Sequence, residues 1–438
     1  MRNLGVYVEI NGSFCHVGNI VGNSSVDACF QYSRAYLESP DSHPISISLP
    51  LSGEIFSPER TKIFFEGLLP EGFSRRAVAD WIKTDENDYL SILAVLGREC
   101  IGAIKIMENG NKEEEDGYEL LSMDKVKELA AEGASRSTQI LMETHLSLAG
   151  ASGKVGLYYD EPSGDWYLPK GNAPSTHIVK QSHVRFSKMV LNEQICMLAA
   201  KELGIDVPES FVINTGIGED SEILYATRRY DRDFTGKGRI GKLEIPSRLH
   251  QEDFAQALGI PASEKYEKTN SGYLRSMFEL IRRNCTDPIA AQNKLWRLIC
   301  FNFLIGNTDC HIKNYSLLYG ENLKQIFLAP AYDIVATGVY GMTNEMSFFI
   351  GDELDIRRMN RNTFANASGE IGMTMSQTLK IFDEVAAGFE SALSKAAETL
   401  MAEGFQGVAG LKERILETGG YGNVQSVHYL HNAHTVLL

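Results

Sequence analysis

The chain opens with hydrophobic and polar positions that alternate, which is the pattern of a half-buried β-strand. Apolar residues alternate from Val6 to Ile10, and Asn11-Gly12 follows as the turn that two-residue hairpins prefer. Further on, Ser57-Pro58 supplies an N-cap and a proline at the first position of an apolar helix. Since 103–106 again has the pattern of a strand, we expect residues 1–107 to form one mixed β/α domain.

The middle of the chain is rich in strand patterns, whereas the last part has helical periodicity. Alternating apolar positions recur between residues 155 and 226, interrupted by one helical segment at 188–203. The acidic, glycine-flanked stretch 109–117 is typical of a domain boundary. Apolar residues in the last part return at intervals of three and four. We therefore expect a β-rich domain over 118–235 and an all-helical domain over 236–438.

Composition places the chain among ordinary globular proteins and narrows its partners. The 438 residues are 43% hydrophobic and 23% charged, which excludes global disorder. A net charge of −15 argues against non-specific binding of nucleic acid by the chain itself, because such binding needs clustered Lys and Arg. No run of 18 apolar residues exists, so no membrane span is expected. Seven cysteines, never spaced C-x-x-C, predict reduced thiols and a cytoplasmic location.

The most informative stretch for function is Gly306–Asn314, which follows a strongly apolar segment. Asp309 and Asn314 have the D-x-x-x-x-N spacing of a kinase catalytic loop, in which the Asp orients the attacking hydroxyl and the Asn holds Mg²⁺. Asp333 ends an apolar strand nineteen residues further on and matches the second metal-binding Asp of such an enzyme. An ordinary turn remains the alternative for each position taken alone.

Two more features fit the way in which kinases hold ATP. Lys180 ends an apolar strand, and Glu193 shares a helical face with apolar side chains, where a carboxylate needs a cation. The alternative for Glu193 is a solvated charge on the helix surface. A run of small residues before the strand at 155–160 resembles a glycine-rich phosphate loop, although it does not match the Walker A motif. Its members are Ala149, Gly150, Ala151, Ser152, Gly153 and the terminal Lys154.

Three histidines near the C-terminus, His428, His431 and His434, recur every third residue. Metal binding is one explanation for this spacing. Their polar, terminal setting favours a frayed surface helix instead.

The order of the other parts is more informative than any one of them. A small-residue loop, a strand Lys, a helix Glu, the D-x-x-x-x-N segment and a strand-end Asp follow one another as in a protein kinase. That order predicts an α+β, protein-kinase-like bilobal fold. The β-rich part would be the small lobe and the helical part the large lobe.

At these motifs the sequence resembles the HipA serine/threonine kinase toxins of bacterial toxin–antitoxin systems. The resemblance covers nearly the whole chain, and its most specific block is the catalytic-loop candidate. The matching blocks are Leu68–Gly72, Gly102–Ile104, Ser147–Lys154, Thr176–Lys180, Asn192-Glu193, Arg229–Arg232, Gln251–Phe254 and Gly306–Asn314. The resemblance implies a HipA-type N-terminal subdomain in front of the kinase lobes.

The resemblance also implies catalytic roles, with ATP and Mg²⁺ as cofactors. Asp309 would be the catalytic Asp, and Asn314 and Asp333 would be the Mg²⁺ ligands. Lys180 would hold ATP phosphates and pair with Glu193.

Further residues are implied to lie at the nucleotide. The loop 149–154 would close over ATP, and His311 and Lys313 would lie beside the nucleotide. The segment Arg228-Arg229-Tyr230 would be the hinge that meets adenine through its backbone. Ser147 would be an autophosphorylation site that inactivates the enzyme.

By the same resemblance, the chain would be a growth-arresting toxin with a protein substrate, a translation component such as glutamyl-tRNA synthetase. Its partner would be a HipB-like helix-turn-helix antitoxin, through which alone the toxin would contact DNA. Two other readings compete with this one. The first is a catalytically weak kinase fold that works as a scaffold or co-repressor with an antitoxin. The second is a small-molecule phosphotransferase, since those enzymes share the D-x-x-x-x-N loop.

Overall fold

A computed structural model describes residues 1–108, 115–132, 154–182 and 186–424 of the chain. Its Cα positions divide into two compact units. The first unit comprises the described residues among Met1–Val190, Glu209–Ala262 and Ser316–Ala329. The second comprises Leu191–Pro208, Ser263–Tyr315 and the described residues from Pro330 onward.

The first unit begins with an antiparallel sheet of order β3-β2-β1-β4. Its strands are β1 (Arg2–Ile10), β2 (Ser13–Gly22), β3 (Cys29–Tyr32) and β4 (Ile104–Glu108). Between β1 and β2, Asn11 and Gly12 both have positive φ, 50° and 76°, as a two-residue turn that matches the strand twist requires. The hairpin and the closing strand expected from the sequence are both confirmed.

Four helices lie between β3 and β4 in the chain: α1 (Arg34–Leu37), α2 (Pro58–Gly67), α3 (Gly72–Ile82) and α4 (Tyr89–Leu96). The predicted start of α2 is confirmed, because the Ser57 side chain accepts a hydrogen bond from the Arg60 amide and Pro58 is the first helical residue. Helix α4 contributes Tyr89, Leu90, Ile92 and Leu93 to the buried core.

A six-stranded antiparallel sheet of order β5-β7-β6-β8-β10-β9 forms the centre of the first unit. The elements of this stretch are β5 (Gly117–Leu120), α5 (Met123–Glu132), β6 (Lys154–Asp160), β7 (Asp165–Lys170), β8 (His177–Gln181), α6 (Met189–Glu202), β9 (Ser210–Asn214) and β10 (Ile223–Arg228). Val155, Val179 and Leu224 point to one face of the sheet, where they pack with Val126 and Leu129 of α5. Because side chains alternate along a strand, Lys180 points to the opposite face.

Two small sheets complete the first unit: a β11–β12 hairpin and a three-stranded sheet of order β13-β14-β15. Their elements, with the helix that follows β13, are β11 (Arg232–Ile240), β12 (Leu243–Arg248), β13 (Gln251–Asp253), α7 (Phe254–Leu258), β14 (Ser316–Tyr319) and β15 (Ile326–Leu328).

The second unit is mainly helical and contains one short hairpin. Its remaining elements are α8 (Tyr273–Asn284), α9 (Pro288–Ile305), β16 (Glu345–Ile350), β17 (Glu353–Asp355), α10 (Arg361–Asn366), α11 (Ser368–Ile371), α12 (Met375–Ala402) and α13 (Val408–Thr418). Helix α9 supplies the buried Trp296, and the centroid of its ring lies 5.5 Å from that of the Phe364 ring. Phe364 in turn lies 4.5 Å from Phe382 of α12.

The expectation of an all-helical chain beyond residue 236 is wrong, because β12–β17 and the end of β11 lie there. Most of these strands have only three to six residues. So short a strand shows too few alternating positions to stand out from loop sequence. The helices α9 and α12 were predictable because each repeats its apolar spacing over several turns. No helix in the described parts of the chain combines the length and apolarity that crossing a membrane requires.

Candidate active site

The segment that follows α9 is a buried loop from which one carboxylate emerges. Helix α9 ends at Gly306, whose φ of +72° lies in the left-handed region that favours glycine. From Leu298 to Asn314, Asp309 is the only exposed residue. A polar chain segment this well buried must be held by specific hydrogen bonds. Such a segment can present Asp309 in a fixed position.

Hydrogen bonds from two other segments hold the loop just ahead of Asp309. The Thr308 amide donates to the Thr337 hydroxyl at 2.7 Å, and the Gly338 amide donates to the Gly306 carbonyl at 2.8 Å. The Ser347 hydroxyl of β16 donates to the Thr308 carbonyl at 2.9 Å. The backbone that carries the Asp309 carboxylate is therefore fixed by side chains from two other segments.

Asn314 is oriented by the same loop. Its amide nitrogen Nδ2 donates to the Asp309 carbonyl at 2.8 Å, and its backbone amide donates to the His311 carbonyl, also at 2.8 Å. With Nδ2 turned toward the loop, the amide oxygen Oδ1 is the atom that can bind a cation. Amide oxygens are among the ligands that hard cations prefer.

Asp333 has a backbone conformation that the surrounding residues must impose. Its φ is +57°, which is uncommon for a residue other than glycine. Two residues earlier, the Ala331 amide donates to the Asp206 carbonyl at 2.7 Å. Three residues later, the Ala336 amide donates to Oδ1 of the buried Asn192 at 2.9 Å. The hydrogen bonds at Ala331 and Ala336 thus hold the backbone on both sides of Asp333.

A hydrogen bond joins the two residues that precede Asn314 and Asp333. The Tyr332 hydroxyl donates to the Lys313 carbonyl at 3.0 Å. A carboxylate and an amide oxygen suit a hard divalent cation that also binds phosphate oxygens. Among the residues that the structure describes, no cluster of three or more His, Cys, Asp and Glu side chains is placed to hold a metal ion.

The structure adds one contact that the sequence did not predict. The hydroxyl of Tyr266 donates a hydrogen bond to Oδ1 of Asp309. The Tyr266 ring lies edge-on to the buried ring of His311, with 5.1 Å between their centroids. Tyr266 and Asp309 are 43 positions apart in the chain, so no local pattern signals their hydrogen bond.

In the first unit, the lysine that was predicted to hold phosphates lies on β8. Lys180 is 8% exposed, and its Nζ lies 5.6 Å from the ring centroid of Tyr225. Lys154 of β6 is directly opposite Lys180 in the strand register. Directly opposite residues on neighbouring strands lie close together, so the two lysines are neighbours on the sheet.

Two of the predicted hinge residues, Arg228 and Arg229, are hydrogen-bonded to other parts of the first unit. The amide of Arg228 donates to the Glu209 carbonyl, and that of Arg229 donates to the Thr176 carbonyl, both at 2.8 Å. The Arg229 side chain is buried and bonds both oxygens of Asp231. The backbone amides of Arg228 and Arg229 thus already have protein acceptors, and the Arg229 side chain is part of a buried ion network.

That network contains two arginines and two carboxylates within hydrogen-bonding reach. Glu99 accepts hydrogen bonds from Arg229 at 3.3 Å and from Arg232 at 3.0 Å. Burial by itself would raise the pKa of Glu99 and of Asp231. The two neighbouring guanidinium groups outweigh burial and hold the pKa of both carboxyls below its ordinary value. All four groups are therefore charged at neutral pH.

Several predicted residues lie outside the described part of the chain. The loop members Ala149, Gly150, Ala151, Ser152 and Gly153 do so, as do Ser147 and the histidines His428, His431 and His434. Glu193 is described and is 4% exposed, as expected for a helix carboxylate that faces packed surface.

Family comparisons match both halves of the chain. The HipA N-terminal domain family matches residues 8–107, and the HipA-like C-terminal domain family matches residues 146–393. Two relatives align over most of their length. "Putative kinase Y4mE" of Sinorhizobium fredii (strain NBRC 101917 / NGR234) is 31% identical over 368 residues, 81% of this chain and 83% of the relative. "Serine/threonine-protein kinase toxin HipA" of Shewanella oneidensis is 26% identical over 360 residues, 78% of each protein.

A solved structure resembles the fold. It is the complex of HipA and HipB from Shewanella oneidensis MR-1 with operator DNA, and its matching chain aligns with a TM-score of 0.77 at 22% identity. The alignment covers 97% of each chain. The predicted α+β, protein-kinase-like fold is thereby confirmed.

Proposed function

The chain belongs to the HipA family of serine/threonine protein kinases, and we propose that it transfers the γ-phosphoryl group of ATP, with Mg²⁺, to a hydroxyl that Asp309 deprotonates. The observation that carries this proposal is the loop after α9, which buries its neighbours and exposes Asp309 alone. An acceptor hydroxyl would donate its proton to the Asp309 carboxylate. Its oxygen would bond to the γ-phosphorus as the bond from phosphorus to ADP breaks.

The cofactor roles follow from the side chains described above. Oδ1 of Asn314 and the carboxylate of Asp333 would hold Mg²⁺, which neutralises charge on the phosphates when it is bound. Lys180 and Lys154 would add positive charge toward ATP phosphates, which is supported by their opposite positions on β8 and β6. The buried His311 and Lys313 would lie near the nucleotide.

For the hinge, we propose that the segment Arg228-Arg229-Tyr230 meets adenine, but not through the amides of Arg228 and Arg229. Because the amides of Arg228 and Arg229 have backbone acceptors, adenine would be recognised by other atoms of this segment. The Arg229 side chain would keep the segment in place through Asp231.

Autophosphorylation at Ser147 is part of the same proposal, and it rests on the sequence resemblance. A phosphoserine there would bring nearly two negative charges to the loop that would cover ATP phosphates. Repulsion between like charges would then lower nucleotide affinity and switch the kinase off. Peptide mapping after incubation with ATP would detect the modification, and Ser147→Asp should weaken ATP binding.

In the cell, the chain would act as a growth-arresting toxin. The proposed protein substrate is a translation component, with glutamyl-tRNA synthetase as the first candidate, and the proposed partner is a HipB-like antitoxin. The similar structure from Shewanella oneidensis MR-1 is a complex of HipA, HipB and operator DNA. A net charge of −15 fits a chain that would contact DNA only through such a partner.

The experiment that tests the proposal is labelling of a cell lysate. The purified chain is incubated with the lysate, Mg²⁺ and ATP labelled at the γ-phosphate, and an Asp309→Asn variant serves as the control. We expect label on serine or threonine of a distinct protein with the unaltered chain and none with the variant. Label on small molecules alone would favour a phosphotransferase, and no label from a folded protein would favour a scaffold.

A further inference from the structure

The hydroxyl of Tyr266 is bonded to the Asp309 carboxylate, the group that the phosphoryl acceptor would need. It donates its hydrogen bond to Oδ1 of Asp309. In phosphoryl transfer, the attacking hydroxyl donates its own proton to the catalytic carboxylate. Tyr266 therefore makes, within the folded chain, the contact that the proposed reaction assigns to the acceptor.

The backbone that carries Tyr266 is firmly attached to the catalytic loop. The next residue, Glu267, is buried, and its carboxylate accepts hydrogen bonds from four backbone amides, three of them at the start of α8. The Glu267 amide donates to the Ser347 carbonyl at 2.8 Å, while the Ser347 hydroxyl bonds the Thr308 carbonyl. One chain of hydrogen bonds thus fixes the distance between the backbones of Tyr266 and Asp309.

The side chain of Tyr266, in contrast, lies at the surface. It is 40% exposed. On the catalytic loop, its ring makes an edge-on contact with the ring of His311. Rotation about χ1 would carry the hydroxyl away from Asp309 without any change in the backbone. A fixed backbone and an exposed ring are what a gate at the carboxylate requires.

We propose that Tyr266 is a specificity-determining gate: its hydroxyl occupies Asp309 until a protein acceptor displaces it, and it thereby keeps water from acting as the acceptor. This inference rests on the proposed role of Asp309. A water molecule that reached Asp309 would give its proton to the carboxylate while its oxygen bonded to the γ-phosphorus. The bond from phosphorus to ADP would break. ATP would thus be hydrolysed to ADP and phosphate, and no protein would be phosphorylated.

The test is ATP hydrolysis by the purified full chain with Mg²⁺ and no protein acceptor. Tyr266→Phe keeps the ring against His311 and removes only the hydroxyl. Tyr421→Phe is the matched control, because the Tyr421 hydroxyl also donates to a carboxylate, that of Glu390 at 3.0 Å. Asp309→Ala reports any hydrolysis that does not use the catalytic carboxylate. Thermal melting of each variant checks that it is folded.

The gate predicts that Tyr266→Phe hydrolyses ATP about tenfold faster than the unaltered chain, a change that corresponds to about 1.4 kcal/mol. Tyr421→Phe should hydrolyse at the unaltered rate. Tyr266→Leu, which lacks both hydroxyl and ring, should also be faster, whereas loss of a merely structural contact would slow the reaction. An unchanged or lower rate in Tyr266→Phe overturns the gate. If Asp309→Ala in the Tyr266→Phe background hydrolyses ATP as fast as Tyr266→Phe alone, the proposed role of Asp309 fails instead.

Discussion

Replacing Glu99 with alanine should destabilise the first unit strongly. A single oxygen of Glu99 accepts hydrogen bonds from both Arg229 and Arg232, and from the amide of Ser175 at 2.8 Å. The side chains of Glu99 and of both arginines are 3% exposed or less. Without Glu99, two buried guanidinium groups would share Asp231 alone. Leaving one buried charge uncompensated costs about 3–5 kcal/mol, and the orphaned Ser175 amide adds about 1 kcal/mol.

The measurement is urea unfolding combined with hydrogen exchange, read on peptides from β8 and β10 so that the first unit is observed by itself. The matched control is Glu244→Ala, since Glu244 pairs with Arg239 at 2.8 Å on the surface, where both side chains are more than half exposed. The control should lose at most about 1 kcal/mol of unfolding free energy. If Glu99→Ala also loses no more than about 1 kcal/mol, the ion network does not stabilise this unit and our reasoning on the hinge fails.

Two further predictions concern the metal site and pH. Asp333→Asn should weaken Mg²⁺-dependent ATP binding by at least about tenfold; calorimetry with and without Mg²⁺ checks this, and an affinity that never depended on Mg²⁺ would refute the assignment. For Glu252, burial raises the pKa to about 7, despite hydrogen bonds from Ser46 and Tyr319. A folded pKa above the unfolded value means that the folded state binds more protons between pH 4.5 and 7. Stability should therefore fall as pH rises through that window, by up to about 3 kcal/mol relative to Glu252→Gln. If the free energy of unfolding depends on pH in the same way in the unaltered chain and in Glu252→Gln, this prediction is wrong.

The parts of the fold that could be predicted are those in which the signal is local. The turn at Asn11-Gly12, the cap at Ser57 and the long apolar repeat of α12 depend on residues a few positions apart, and all three are confirmed. The D-x-x-x-x-N spacing of Asp309 and Asn314 is local in the same sense, and the catalytic role that it indicates stays a prediction.

The parts that could not be predicted depend on contacts between distant segments. The Glu99–Arg229 pair joins residues 130 positions apart, and the bond from Tyr266 to Asp309 joins residues 43 apart. No periodic sequence pattern predicts either contact, because each depends on how separate elements pack. The left-handed backbone of Asp333 is likewise imposed by its anchors and cannot be read from its neighbours in the chain.

The central claim is that Asp309 is the base of a phosphoryl-transfer reaction, and single-turnover transfer from ATP tests it most directly. The unaltered chain and Asp309→Asn are compared at saturating ATP and Mg²⁺, with ATP affinity and thermal melting measured on both proteins. Because Asp309 is exposed on its loop, the variant should fold normally. We predict that it transfers phosphate at least about 100-fold more slowly. A folded, ATP-binding Asp309→Asn variant that transfers phosphate at the unaltered rate would contradict the account.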